Sequence, residues 1–358
     1  MARIVQASLR RLRLPLYTPY RLSYRTFTEF EPFLLQLTDE NGKTAFSDMH
    51  VSPGSSTETR EGAWNYCLSK LGEINKLDRD DFKAGLMKNL DQSKVATALL
   101  VTTLEALDNS DWLKIKETSA QELIVPINGS QDAEIESELE TLFAAGFSTF
   151  KVKVGKDVES DTRRTNSILK LLDGRGSIRL DANRAYTKED AIKFVNGIRY
   201  SGADLFEQPC EADAWDDNAE VARNSPIALM LDEPICSLED IERASQIHNV
   251  KYCKVKLKRF GSLAALSAGI ELIHSNGMLA VLGDGLGSEI NNWMEASVAA
   301  RLIKTKGEFN GFLKHKDKLF KNPLPFANGR ITLEKNYCPV LDTETVDRVT
   351  VETKTIQY

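Results

Sequence analysis

From residue 124 to residue 303 the chain repeats one unit: a short apolar, β-branched run, a polar break and an amphipathic helical stretch. Strand-like runs lie at 124–128, 149–154, 178–181, 205–207, 228–232, 253–256 and 279–282. Helical runs fall between them, for example at 134–145, 161–172, 189–199, 263–274 and 289–303. Connections this short force parallel strands, because each crossover helix carries the chain back to the edge it left. The pattern predicts an α/β fold with a closed (β/α) barrel, and an open doubly wound sheet is the second arrangement it allows.

The segment before the repeat reads differently. Residues 4–14 alternate basic and apolar side chains, 33–38 are apolar, and Asn41-Gly42 supplies a turn into 43–46. From Thr57 to Leu107 the spacing of Trp64, Leu68, Leu71, Val95, Leu99, Leu104 and Leu107 becomes helical. The expected organisation is an α+β unit over 1–118, the barrel over 119–322, and a tail over 323–358 that can pair back onto the amino-terminal strands through β-like runs at 330–333 and 348–352.

Composition narrows the partners. Lys and Arg number 46 against 52 Asp and Glu, so no extended nucleic-acid footprint is expected. No run of eighteen apolar residues predicts a membrane span. The opening residues lack a signal-peptide pattern, and Cys67, Cys210, Cys236, Cys253 and Cys338 never form C-x-x-C. A reduced, cytoplasmic protein without a structural zinc site is expected.

The chemistry sits at the strand ends. Asp181, Glu207, Asp232 and Lys256 follow one another at intervals of 26, 25 and 24 residues, one per repeat. In a parallel barrel all carboxyl ends of the strands share one rim, where active sites are built. Any one of these carboxylates taken singly reads most simply as a helix cap. Three converging without a cation would repel and raise one another's pKa. A divalent ion resolves that conflict, and oxygen donors with no His or Cys suit Mg²⁺, or Mn²⁺, rather than Zn²⁺.

Lys151 and Lys153 stand two apart on one strand and so share a face, with Val152 and Val154 on the other. Without partners they read as a solvated surface strand; the neighbouring carboxylates favour an inward position. The same alternation groups Lys254, Lys256 and Lys258, of which Lys256 has the rim spacing.

Lys-x-Lys, Asp-Ala-Asn, Glu-Gln-Pro, Asp-Glu and Lys, in that order at successive strand ends, resemble the enolase superfamily and specifically its muconate-lactonizing-enzyme subgroup. The resemblance implies a modified (β/α)8-type barrel, (β/α)7β, with a capping domain built from the amino-terminal part and the tail, and suggests a homo-oligomer. It implies that Asp181, Glu207 and Asp232 hold Mg²⁺, that Lys153 and Lys256 face each other across a small carboxylate substrate as acid and base, and that Lys151 lies beside Lys153. Removing a proton next to a carboxylate needs a stabilising cation and a positioned base, and nearby positive charge lowers a lysine's pKa enough to serve.

Asn183, Glu233, Asp284 and Glu308 are the expected neighbours of metal and substrate. Glu308-Phe309-Asn310-Gly311 stands where dipeptide epimerases carry Asp-x-Asp-Gly and is equally similar to the Glu-x-x-Gly of cycloisomerases. The resemblance therefore implies a metal-dependent isomerase, either racemase/epimerase or cycloisomerase. An o-succinylbenzoate synthase type of dehydration and a barrel that binds ligands without turnover are the alternatives. Specificity is expected from capping loops at 16–24, with Tyr17, Tyr20 and Tyr24, and at 49–55, with His50. Packing between domains is the equal alternative for the tyrosines.

Overall fold

The computed structural model describes residues 2–21, 26–52, 58–283 and 285–358; Tyr24 and Asp284 lie outside the described residues. The amino-terminal part forms β1 (Ile4–Leu12), β2 (Leu14–Arg21), β3 (Thr26–Phe30), β4 (Phe33–Asp39) and β5 (Thr44–Met49), followed by α1 (Arg60–Leu71), α2 (Arg79–Lys88) and α3 (Lys94–Leu107). The Asn41-Gly42 turn joins β4 to β5 in antiparallel register, with Gly42 at φ 77°, a left-handed value that costs glycine nothing. The basic and apolar alternation of 4–14 is broken near Arg13, where β1 ends and β2 begins. So 16–21, expected as a loop, belongs to a strand that pairs with β3.

The barrel sheet runs through β6 (Ser119–Glu122), which leads into it, and then β7 (Val125–Pro126), α4 (Asp132–Ala144), β8 (Thr149–Lys153), α5 (Val158–Leu172), β9 (Ser177–Asp181), α6 (Lys188–Gly197), β10 (Ala203–Glu207), α7 (Trp215–Asn224), β11 (Ala228–Leu231), α8 (Leu238–Ser245), β12 (Val250–Val255), α9 (Leu257–Phe260), α10 (Leu263–Ser275), β13 (Leu279–Leu282) and α11 (Glu289–Leu302). Strands β7 to β13 pair in parallel and in chain order. The helices start where side chains accept from their own first turn: Asp157, Thr187, Ser237, Ser262 and Ser288 each cap one.

Closure is made by a segment with no strand pattern. Gly307 N–H donates to Glu122 O and Gly307 O accepts from Ile124 N–H on one side. Glu308 N–H donates to Leu282 O on the other, and Gly285 N–H donates to Glu308 O. Residues 307–308 thus stand in the eighth strand position, between β13 and the first strand. The ring is the expected (β/α)7β barrel, not the open doubly wound sheet.

Inside and outside follow the pleat. Phe150, Val152, Ile178, Leu180, Phe206, Leu229, Leu231, Cys253, Val255, Ala280 and Leu282 are buried in the main core between sheet and helices. Leu205, Met230 and Val281, with Tyr252 against them, form a separate apolar plug. Residues two further along three of those strands are Glu207, Asp232 and Lys254, so apolar floor gives way to charge toward the rim.

The tail adds β14 (Phe326–Ala327), β15 (Arg330–Leu333), α12 (Thr343–Val349) and β16 (Thr350–Gln357). β16 pairs antiparallel with β1, as a returning tail would, but it runs from 350 to 357 because 343–349 is helical rather than extended. β15 pairs with β6 instead of the amino-terminal strands. Glu105 of α3 accepts from the Leu263 and Ala264 N–H groups at the start of α10, tying the amino-terminal helices to the barrel.

Candidate active site

A cavity of about 710 Å³ opens at the carboxyl ends of the barrel strands and is walled on the other side by α1 and the segment leading into α3. Lys151, Lys153, Asp181, Asn183, Glu207, Asp232, Glu233, Lys256 and Glu308 all line it. Lys151 and Lys153 project inward from β8 while Val152 is fully buried behind them, which favours the inward reading over a solvated strand.

Asp181 ends β9. Its Oδ2 takes Lys151 Nζ at 2.9 Å and Lys153 Nζ at 2.6 Å, and its Oδ1 accepts from Asn183 N–H at 2.9 Å. Burial alone would raise this carboxyl; the two ammonium groups hold it well below the usual range. Lys153 Nζ also donates to Asn183 Oδ1 at 2.6 Å, an amide that the left-handed backbone at Asn183 turns toward the cavity.

Glu207 ends β10, where burial and the Asp181 charge push it up to about 7. Both of its carboxyl oxygens are buried: Oε2 meets Lys151 Nζ at 2.8 Å, and Oε1 lies 3.6 Å from Lys254 Nζ. Asp232 stands just beyond β11. Lys256 Nζ approaches its Oδ2 at 3.0 Å and Arg259 Nη1 its Oδ1 at 2.8 Å, which holds it well below the usual range against the cost of burial. Glu233, next along, is raised by burial and by Asp232, and faces Arg184 at 3.5 Å.

Three features depart from the sequence reading. Strand β12 stops at Val255, so its alternation does not reach Lys258: Lys256 caps α9, and Lys258 lies within that helix, although both line the cavity. Lys254 also lines the cavity, but from inside the barrel and almost fully buried, with its ammonium against Glu308 Oε2. Glu308 also meets Lys151 at 2.7 Å and Arg179 at 3.8 Å, and is held down to about 2 by those cations despite burial. A second layer of charge therefore underlies the rim, and the signal for it was the same pleat: Arg179 precedes Asp181 by two, as Lys254 precedes Lys256. Gln208, just past β10, was also missed. It is buried at φ 37°, donates from Nε2 to Cys210 O, and accepts Asp232 N–H on Oε1 at 2.9 Å. It fixes the height of Asp232 against Glu207.

The capping residues are divided. Tyr20 lines the cavity and packs on Phe30, with Lys314 Nζ 4.8 Å above its ring. Tyr17 is 62% exposed and outside the cavity lining. His50 is buried with its ring edge-on to Phe27 and Phe30, close to a small recess that it shares with Lys256 and Lys258. That packing, rather than an open loop position, defines it.

The donor set can be weighed for a divalent ion on these contacts. Among the described residues no group of three His, Cys, Asp or Glu side chains forms a ready coordination shell. Lysine and arginine cations sit where such an ion would neutralise Asp181, Glu207 and Asp232. The donors themselves fit Mg²⁺ or Mn²⁺: three hard carboxylates on adjacent strand ends, one of them with both oxygens buried and met only by lysine cations.

Comparison with known proteins agrees with the fold. Residues 134–337 match the enolase C-terminal domain-like family. The chain belongs to the enolase superfamily and is an enzyme. It is 27% identical over 318 residues to an L-Ala-D/L-Glu epimerase of Clostridium acetobutylicum, covering 84% of this chain and 87% of that one. It is 21% identical to muconate cycloisomerase 1 of Acinetobacter baylyi, covering 88% and 90%. The solved N-succinyl Arg/Lys racemase of Bacillus cereus superposes with a TM-score of 0.88 over 99% of this chain and 100% of that one, at 18% identity, and so shares the fold. No helix among the described residues is long and apolar enough to cross a membrane.

Proposed function

We propose that this chain transfers a proton at the carbon next to a substrate carboxylate, as a metal-dependent racemase or epimerase. The observation that carries the reading is the placement of Lys153 and Lys256. Lys153 ends β8 and Lys256 stands just past β12, with β9, β10 and β11 between those strands in the sheet, and both line one cavity. Each rests on a different carboxylate, Asp181 and Asp232. In this reading one lysine removes the proton from one face of the substrate and the other returns a proton to the opposite face. Asp181, Glu207 and Asp232 would hold Mg²⁺, whose charge, set against the substrate carboxylate, lowers the cost of removing that proton. Lys151 lies among Asp181, Glu207 and Glu308 and adds positive charge below the same point. Asn183 receives the Lys153 ammonium and aims it.

The test uses Lys153→Ala and Lys256→Ala with Mg²⁺ in D₂O and a panel of N-acyl amino acids, dipeptides, muconates and succinylbenzoate precursors. Each variant should still exchange the α-proton of one enantiomer, opposite for the two, and both should lose net inversion. If one variant loses everything while the other only slows, a single lysine does the proton transfer, and cycloisomerisation or dehydration replaces inversion. Wild-type turnover in both variants would remove the two lysines from the chemistry.

A further inference from the structure

Lys254 is a fully buried ammonium for which the proton-transfer scheme has no use. It enters the barrel from β12, one pleat below Lys256, and its Nζ sits against Glu308 Oε2 and 3.6 Å from Glu207 Oε1. The Nζ makes no hydrogen bond of ordinary geometry, so its hold on both carboxylates is chiefly electrostatic. Glu308 does not need it as its sole counter-ion, since Lys151 and Arg179 approach the same carboxylate. Glu207 is different: Lys254, at 3.6 Å, is one of only two cations described near its oxygens, the other being Lys151 at 2.8 Å.

From this we infer that Lys254 is a resident counter-cation that opposes divalent metal at the carboxylate triad, so that the enzyme alone holds Mg²⁺ weakly. The inference rests on the reading of Asp181, Glu207 and Asp232 as metal ligands. A metal at Glu207 must share its oxygens with a positive charge that is buried, cannot swing into solvent and is pinned by Glu308. Two like charges competing for one carboxylate in a poorly solvated interior repel strongly. Lys153 and Lys256 are more exposed and can turn aside as a metal enters, whereas Lys254 lines the same cavity almost fully buried and held by Glu308.

The test is calorimetric titration of Mg²⁺, and separately Mn²⁺, into wild-type protein, Lys254→Met and Lys254→Arg, with no substrate present. Methionine keeps the length of the stem and removes the charge, while arginine keeps the charge. Lys254→Met should bind Mg²⁺ roughly tenfold tighter or more, and Lys254→Arg should stay near wild type. Wild-type protein should bind with a dissociation constant of about 0.1 mM or weaker. Equal or weaker binding by a folded Lys254→Met variant overturns the inference while leaving the metal site standing. Should that variant fail to fold, Lys254→Gln replaces it with the same two outcomes, because Lys151 also meets Glu207 and the wild-type value alone does not separate the two cations. Failure of every protein to bind metal, together with no exchange in D₂O, would instead remove the metal-dependent reading itself.

Discussion

Lys151 Nζ and Glu308 Oε2 lie 2.7 Å apart, joining the strand that carries the lysine pair to the segment that closes the barrel. The contact is buried, and each partner is held charged by the other: Lys151 is raised well above its ordinary value by Asp181, Glu207 and Glu308 against the cost of burial. This pair is the hub of the lower charge layer, and it turns a ring closed by few backbone hydrogen bonds into one also closed by charge.

Removing one member of such a group should cost more than the pair contributes, because its partners are left buried and uncompensated. Glu308→Ala leaves Lys151, Lys254 and Arg179 facing one another without their shared carboxylate. The variant should lose on the order of 3 to 5 kcal/mol of stability. Urea denaturation monitored by circular dichroism measures it, and a loss below about 0.5 kcal/mol would show that the cluster is solvated and unimportant to folding.

The three carboxylates proposed to hold metal should behave differently from that hub. Asp181→Asn, Glu207→Gln and Asp232→Asn should each lower α-proton exchange by at least about 10²-fold, and chelation of divalent ions should abolish exchange reversibly. Glu207→Gln should also leave the metal-free protein no less stable, since burial and the Asp181 charge already push the Glu207 carboxyl up to about 7. Exchange assays with added chelator and then excess Mg²⁺ check the first part, and thermal melts in chelator check the second.

Asp48, at the end of β5, is fully buried where it meets the start of α11, and burial pushes it up to about 7, with Ser288 and the Asn291 N–H opposing that only in part. An unfolded chain releases this proton near the ordinary value of 3.8, so between there and about pH 7 the unfolded state binds fewer protons than the folded one. Stability from this group is therefore present at low pH and lost as pH rises through that window, by on the order of 4 kcal/mol at most. Asp48→Asn should flatten the fall in melting temperature between pH 4 and pH 8. An unchanged pH profile would mean that the carboxyl reaches water.

Gly283 follows β13 at φ 101°, and a Cβ there would run into the backbone of Glu308 and Phe309. The close approach is what lets residues 307–308 take the eighth strand position. Gly283→Ala should cost about 2 kcal/mol or more, through strain and a widened seam. Hydrogen exchange at Glu308 N–H should rise more than at the β9 and β10 amides, and uniform protection would place the strain elsewhere.

The sequence by itself determined the strand and helix alternation, the order of the barrel strands, and the rim of Asp181, Glu207, Asp232 and Lys256, because each depends on periodicity and on spacing along one chain. It also determined that Lys151 and Lys153 share a face. The tertiary structure alone decided what no local pattern encodes. The closing strand is made of two residues whose only strand character is their hydrogen bonds to Glu122, Ile124 and Leu282. The lower charge layer exists because Lys254, Arg179 and Glu308 come from three separate strand positions and find one another only when the barrel closes. Tyr17 was left outside and His50 drawn under two phenylalanines by the packing of β2, β3 and β5, since burial is a property of what lies opposite a residue rather than of the residue itself.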